Sequence, residues 1–482
     1  MLKDLTKNKV IHFIGIGGAG MSAIARILLL QGYHITGSDA KESANTLRLQ
    51  ELGAHVFIGH DTSHIREANI IVASAAIKAD NIELIAASKR NLEIYGRAQM
   101  LSWLMSQAKT SIAFAGTHGK TTTSSMASLL FIRTKLKPTF LVGSELLDLG
   151  TNADMGDWDY FLAEADESDG SILQLDPTIM VLTNIEADHL EHFGNFENII
   201  DTFAKCVEKL PKDKGVLITQ GDQWGVKGFL KKLKEENKLP AKVVTYGLEA
   251  DMDLRPGNIR LREHGSKFTV FYKDKQLGEV ELSIPGTHNI LNALSIIACG
   301  FEAGLSFAQI SVNLKSFTGT KRRFNLIGDV QNVLIFDDYG HHPTEIAATL
   351  EAAKHSWQDR RLICIFQPHR YTRTMFLAHE FAQCFQHADI VILTDIYAAY
   401  EKPIPGITTD AIVKLMKEKT PVYIPKKEEI SNYIAEHAQS GDLIITMGAG
   451  DIHIVAKEIL SRLKQRKLKG WAEYASAETR AA

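Results

Sequence analysis

The chain of 482 residues is 45% hydrophobic and 23% charged, with a net charge of −3. At about 150 residues per domain, this length suits roughly three domains, each with a core of its own. A near-neutral chain without long basic runs argues against an electrostatic nucleic-acid footprint, and the one basic cluster, 464–469, reads as a solvated helix end. The apolar stretch 10–30 holds His12, Arg26 and several glycines, so it makes a poor membrane span or signal segment. Cys206, Cys299, Cys364 and Cys384 lie far apart with no CxxC pair. Neither a zinc site nor a disulfide framework is predicted, and a reducing cytoplasm fits.

From the N-terminus, 10–14 reads as a short buried strand, Gly15-Ile16-Gly17-Gly18-Ala19-Gly20 as GxGxxG, and 21–30 as a helix. A strand at 34–36 follows, then Asp39, at about the distance where a Rossmann fold sets its ribose-binding acid. Taken alone, this fingerprint favours NAD and a dehydrogenase; the plainer alternative is a tight strand-to-helix turn with no ligand. Strands at 70–73 and 93–95 alternate with helical stretches, and a helix at 98–108 serves as connector, so the first unit is 1–108.

The second unit, 109–321, opens on an apolar run at 111–114, then Ala115-Gly116-Thr117-His118-Gly119-Lys120-Thr121-Thr122-Thr123, then helix-compatible residues 124–131. A strand ending in a glycine turn that opens a helix aims backbone N–H groups and the helix dipole at one point, where a polyphosphate can sit. Lys120 would reach the terminal phosphates and the Thr121 hydroxyl would ligate Mg²⁺. Phe114 stands where the GxxxxGK[ST] pattern sets its first glycine, and Gly116 falls two positions later, so a surface Gly-Lys-Thr turn is the competing reading. Two nucleotide loops in one chain suit a nucleotide-linked substrate plus ATP better than they suit a dehydrogenase.

Strands at 160–164 and 179–183 both run into carboxylates: Glu164, Asp166, Glu167 and Asp169 after the first, Glu186 and Asp188 beside His189 after the second. A solvated acidic loop is the bland explanation. Beside a phosphate loop, Mg²⁺ bridging a nucleotide to protein carboxylates is the economical one. A strand at 216–219, a β-rich insertion at 253–284 and a helical run at 289–303 complete the unit.

The third unit, 322–482, alternates strands at 333–337, 362–366, 390–394 and 443–447 with amphipathic helices, a pattern that predicts a parallel sheet covered by helices. Beyond Lys469 there is little periodicity and a frayed tail is expected. Asp337-Asp338-Tyr339-Gly340-His341-His342-Pro343 follows one strand, and Phe366-Gln367-Pro368-His369-Arg370-Tyr371-Thr372-Arg373 follows another. Arg370 and Arg373 are spaced to project from one side of a turn or helix start and clamp a carboxylate or phosphate. The histidine pair gives no recognised metal spacing.

GIGGAGMS, AGTHGKTTT, EADESD, TNIEADH, PGTHNILNA, RRF, DDYGHHPTEI and FQPHRYTRT stand in the order in which the Mur ligases carry them, and the chain resembles that family from about Val10 to His453. The shortened phosphate loop is a trait of the family. The resemblance implies an α/β protein of three domains: N-terminal Rossmann-like, central P-loop ATPase with a mostly parallel sheet plus a small β insertion, and C-terminal Rossmann-like. EADESD followed by TNIEADH is similar to the alanine-adding branch more than to the branch that recycles a preformed tripeptide; a dehydrogenase and a nucleotide sensor are the rivals from other classes.

That branch implies ATP and Mg²⁺, with UDP-N-acetylmuramate and L-alanine as substrates, no nucleic acid or membrane partner, and a monomer or weak homodimer. Gly15, Gly17, Gly18, Gly20, Asp39, His60 and Ser74 would hold the UDP-sugar. Gly116, Thr117, His118, Gly119, Lys120, Thr121 and Thr122 would hold ATP, with Asn292 on adenine, Asp338 on ribose and Arg323 on phosphate or ribose. Thr121 and Glu164 would bind one Mg²⁺ and His189 a second cation. Tyr339, His369, Arg370 and Arg373 would receive alanine and the transferring phosphate, and Lys120, His189, His369, Arg370 and Arg373 form the catalytic group, His369 being the candidate base. Domain closure on bound substrates is expected to bring the two arginines onto the phosphate. Asn152-Ala153-Asp154-Met155-Gly156 departs from the NARLG of many relatives: an aspartate replaces the arginine.

Overall fold

The computed structural model describes residues 5–478 other than Asp169 and Tyr400, with side chains as far as Arg466. Val10–Ile14 (β1), His34–Asp39 (β2), His55–Ile58 (β3), Ile70–Ala73 (β4) and Glu93–Gly96 (β5) form a parallel sheet in the order β3-β2-β1-β4-β5. Ile11, Phe13 and Ile14 are buried because helices cover both faces of β1. The chain leaves β1 on one side and returns on the other, so the sheet's switch point lies where the glycine motif begins. The following helix, Ala19–Leu30, starts inside that motif, with Gly18 as its cap.

The central sheet has ten strands: Thr110–Ala115 (β6), Thr139–Leu146 (β7), Thr151–Asp154 (β8), Tyr160–Glu164 (β9), Ile179–Leu182 (β10), Val216–Gln220 (β11), Lys242–Tyr246 (β12), Leu254–Arg262 (β13), Gly265–Tyr272 (β14) and Lys275–Leu282 (β15). Their order is β15-β14-β13-β12-β11-β10-β6-β9-β7-β8. The insertion expected at 253–284 is β13–β15, and it extends this sheet: Leu254 pairs in parallel with Tyr246 at what would otherwise be an open edge. The β7–β8 hairpin was not legible, because Gly143 and Ser144 interrupt the alternation of β7 and its partner is polar. Helices Lys120–Arg133 and Thr287–Glu302 pack Met126, Leu130, Ile290 and Leu294 against Phe114, Val181 and Ile218. Each such fully buried side chain contributes about 1.5–3 kcal/mol. On the other face, Met100, Leu101 and Leu104 of the connector helix Arg97–Met105 share one cluster with Ile24, Phe161 and Phe203, which fastens the first sheet to the second.

The third sheet contains Asn325–Val330 (β16), Val333–Asp338 (β17), Arg361–Phe366 (β18), Ile390–Leu393 (β19), Val422–Tyr423 (β20) and Asp442–Met447 (β21), in the order β16-β17-β21-β18-β19-β20. It is parallel as expected except at one edge, where β16 forms an antiparallel hairpin with β17. The closing helix, His453–Glu478, contains the basic cluster and runs on past Lys469, where weak periodicity predicted irregular chain. All four cysteines are buried and unpaired, and among the described residues no helix is long and apolar enough to cross a membrane.

The topology already gathers the site. β6 lies between β9 and β10 and runs parallel to both, so the phosphate loop, the EADES loop and the TNIEADH loop leave the sheet at one edge. β17, β21 and β18 do the same for the DDYGHH and QPHRYTR loops.

Candidate active site

The phosphate loop owes its shape to glycines at 116 and 119, whose φ angles are 119° and 85°. A Cβ on Gly116 would collide with Thr183 Oγ1, and one on Gly119 would lie 2.8 Å from Asn292 Oδ1. Phe114, where the longer motif has its first glycine, is buried within β6, so the loop simply starts later. Thr117 N donates to Asn184 O (3.1 Å) and His118 N to Asn184 Oδ1 (2.8 Å), which seats the loop on the end of β10. Such a seated loop at a helix N-terminus sets the surface-turn reading aside.

Lys120 Nζ donates to Gly116 O (2.6 Å), Thr117 O (3.2 Å) and Glu167 Oε1 (2.7 Å). Thr121 Oγ1 lies 3.1 and 2.9 Å from the two Glu164 oxygens, and Gly143 N donates to Glu164 Oε2 at 2.9 Å. Hydroxyl and carboxylate oxygens side by side at a helix N-terminus are the hard donors Mg²⁺ takes, so these residues fit that ion. Asp169, the last carboxylate of the run, lies outside the described residues. His189 stands apart from this pair, at φ 53°, with Asp188 and Glu191 beside it at 3.5 Å. Among the described residues the compact His/Asp/Glu trio is His118, Glu186 and His342, with donor atoms within 4.8 Å of one another; none of the metal ligands implied by the resemblance belongs to it.

Glu167 is buried, its Oε2 has no hydrogen-bond partner, and burial raises its pKa against the pull of Lys120. Its carboxylate therefore occupies the ammonium that a phosphate would need. Glu167→Gln is expected to tighten binding of a non-hydrolysable ATP analogue by about tenfold, the scale of one charge-assisted hydrogen bond, and to lower the thermal midpoint of the free protein. Calorimetric titration and a thermal melt check both; weaker binding would mean that Glu167 serves the nucleotide instead of competing with it.

A cavity of about 270 Å³ lies beside the loop. It is bordered by His118, Gly119, Thr122, Asn292, Arg323 and Asp338, all six expected at ATP, from the central and C-terminal domains. Asp338 accepts from Phe324 N and Gly340 N, both at 2.7 Å, yet burial lifts its pKa to about 6. Asn289, His288 and Glu345 also border the cavity. Sequence reasoning passed over them: Asn289 and His288 lie in the quoted PGTHNILNA motif, and Glu345 read as an ordinary helix-start acid.

The remaining group spans the same domain boundary. Arg373 is buried and makes three contacts of 3.1–3.3 Å with Asp188, while its Nη1 lies 3.3 Å from His369 Nδ1. Arg370, at φ 74°, pairs with Glu191 and, at 3.2 Å, with Glu401. Tyr339 is flanked by the guanidiniums of Arg322 and Arg323, 4.8 and 5.1 Å from its ring centre, and its ring neighbours that of His341. The arginines are thus already engaged by central-domain carboxylates, so the expected closure on substrates would have to exchange these partners. Burial, then the charges of His341, Arg373 and Arg370, push His369 down to about 3. That direction works against proton uptake by His369, the base the resemblance implies.

At the first sheet, Gly17 N donates to Asp39 Oδ2 (2.8 Å), so Asp39 also braces the glycine turn, and a Cβ on Gly15 (φ 81°) would lie 3.2 Å from that of Ser74. Gly18 caps the helix behind them. His60 sits deeper, hydrogen-bonded to Ser38 (3.2 Å) and to buried Glu83 (3.1 Å). Burial opposes ionisation of Glu83, but the His12 ring 3.8 Å away and bonds from Ser38, His60 and His64 outweigh it and hold its pKa at about 2. Arg97 links the glycine turn to the carboxylate loop after β9: its side chain packs on Gly20 and its guanidinium lies 3.8 Å from Asp166. Asp154 lies 3.6 Å from Arg26, whose Nε donates to Ala153 O (2.9 Å) across the first domain boundary.

Residues 10–109 match the family described as "Mur ligase family, catalytic domain", 114–300 the "Mur ligase middle domain" and 322–450 the "Mur ligase, glutamate ligase domain". The chain belongs to the Mur ligase family. It is 44% identical to UDP-N-acetylmuramate–L-alanine ligase of Pelotomaculum thermopropionicum over 97% of this chain and all of that one. With the enzyme of the same name from Dictyoglomus turgidum it is 44% identical over 94% and 97% of the two chains. The crystal structure of UDP-N-acetylmuramate-alanine ligase from Thermotoga maritima superposes with a TM-score of 0.79 at 27% identity, covering 95% of this chain and 99% of that one. A murein peptide ligase from Psychrobacter arcticus gives 0.70 at 26% identity, with coverage of 95% and 99%.

Proposed function

We infer that the protein joins L-alanine to the carboxylate of UDP-N-acetylmuramate, with cleavage of ATP to ADP and phosphate. The observation that carries this is the 44% identity to relatives of that activity along the full length of both chains. The geometry is in keeping with it: two strand-to-helix glycine turns are suited to nucleotide phosphates, and Arg97 ties the first of them to Asp166 in the carboxylate loop next to the second.

A carboxylate oxygen is a poor leaving group until it is phosphorylated. In the proposed sequence the sugar carboxylate attacks the γ-phosphorus of ATP and ADP departs, giving an acyl phosphate. The alanine nitrogen then attacks the acyl carbon, and phosphate leaves as the amide forms. The first step brings two anions together, so it depends on positive charge at the γ-phosphate. Lys120 and the N–H groups of the phosphate loop supply part of that charge. Mg²⁺ held by Thr121 and Glu164 would supply the rest by drawing electron density from the phosphates. Arg370 and Arg373 exchange Glu191 and Asp188 for the carboxylate of alanine and the moving phosphate, and Tyr339 and His369 border their pocket. His118, Thr122, Asn292, Arg323 and Asp338 hold the nucleoside end of ATP in the cavity. Gly15, Gly17, Gly18, Gly20, Asp39, His60 and Ser74 hold the UDP-sugar. We place the reaction in the cytoplasm, whose reducing conditions suit the four buried, unpaired cysteines.

Phosphate release is expected to require UDP-N-acetylmuramate, Mg²⁺ and L-alanine together. A coupled phosphate assay with single amino acids supplied in turn tests this; turnover with a tripeptide and none with alanine would sink it.

A further inference from the structure

Glu345 stands in the first turn of helix Pro343–Ser356, at the boundary of the C-terminal and central domains, with 12% of its side chain exposed. Its two oxygens have different partners. Oε2 accepts from His341 N (3.0 Å) and His342 N (3.3 Å), which closes a capping box at the helix start. Oε1 faces out of the helix, 3.2 Å from His118 Nδ1 in the phosphate loop and 3.8 Å from Arg323 Nη1. His118 in turn has its Nε2 3.4 Å from Glu186 Oε2, and Glu186 accepts from Thr344 Oγ1 at 2.6 Å, so two contacts cross the domain boundary here, Glu345 with His118 and Thr344 with Glu186. His118, Arg323 and Glu345 all border the 270 Å³ cavity.

A helix cap needs only an acceptor, which a neutral amide supplies as well as a carboxylate. A buried carboxylate costs several kcal/mol in lost hydration unless charged partners meet it, and those partners here are one residue of the phosphate loop and one residue of the nucleotide cavity. Burial works against a proton on His118, yet the carboxylates of Glu186 and Glu345 beside it raise its pKa to about 9. The ring is held between two carboxylates, one at 3.2 Å and one at 3.4 Å, and its backbone is part of the proposed phosphate loop.

We propose that Glu345 is a positioning residue for ATP: its Oε1 fixes the His118 side chain, and with it the phosphate loop, and aims Arg323 into the nucleotide cavity when the C-terminal domain is docked. The proposal rests on the assignment of the loop and cavity to ATP and deepens it.

Glu345→Gln in the full chain separates this role from capping, since glutamine keeps the acceptor for His342 N and removes the charge. Binding of a non-hydrolysable ATP analogue is expected to weaken about tenfold, and KM for ATP to rise equally, the loss expected of one charge-assisted hydrogen bond. KM for the UDP-sugar and kcat at saturating ATP should each stay within about twofold, and the thermal midpoint within a few degrees. His118→Gln removes the other side of the contact, and the double variant should bind the analogue no worse than the poorer single. Unchanged analogue affinity, additive single effects, or an equal rise in KM for the UDP-sugar would overturn the proposal. Analogue titration needs no turnover. A wild type that binds the analogue but releases no phosphate with UDP-sugar and alanine would refute the ligase reaction, while the Glu345 comparison would still decide its own question.

Discussion

Lys120→Ala is expected to lower phosphate release by about 10³-fold or more while UDP-N-acetylmuramate binds within about twofold of wild type. The ammonium sits at the first turn of a helix, anchored by two loop carbonyls and Glu167, beside the N-terminus of Lys120–Arg133 where phosphates would meet it. Glu164→Ala should act in the same direction, because Thr121 then lacks the carboxylate that would hold Mg²⁺ with it. Neither residue touches the glycine loop of the first sheet. Calorimetry with the UDP-sugar and a phosphate assay on each variant give the comparison, and loss of sugar binding in a folded variant would show that the two nucleotide sites have been assigned to the wrong loops.

Arg373→Ala should cut kcat by about 10²–10³-fold and change the affinity for an ATP analogue by less than about threefold. Arg373 has two duties, and the structure separates them. It neutralises buried Asp188, whose pKa burial pushes up and whose arginine and histidine neighbours hold far below the carboxylate range. It also lies in contact with His369 beside the proposed alanine pocket. Leaving Asp188 buried and unpaired costs about 3–5 kcal/mol, so the variant should also melt earlier. Asp188→Asn in the same background should restore part of the thermal loss and none of kcat. Recovery of kcat in that double variant would make the arginine a structural partner of Asp188 and nothing more. Scattering adds an independent check, since ATP analogue with UDP-sugar should compact the wild type more than Arg373→Ala.

How legible the site was depended on how local its determinants are. The phosphate loop could be read because a strand, two glycines of positive φ and a helix start are consecutive in sequence, and its missing first glycine became intelligible once Phe114 was seen inside β6. The same holds for β1 with its glycine turn, and for Asp39 at the end of β2. The insertion at 253–284 could be read as strands, but its place at the edge of the central sheet depends on one pairing, Tyr246 with Leu254, between segments that carry no mark of each other.

By itself, the sequence determined the three α/β units, the two strand-to-helix glycine loops and the residue types on them, because hydrophobic period, glycine conformation and motif spacing act over a few residues. Only the tertiary structure decided which charges meet. Glu167 and not a solvated surface faces Lys120, Asp188 and Glu191 take the two arginines, and Glu345 reaches His118 across a domain boundary. Burial pushed His369 to about 3 and Asp338 to about 6, against what either side chain shows in water. The physical reason is range: desolvation and ion pairing are set by whatever packs within a few ångströms, and here those neighbours come from positions as far apart as 185 residues.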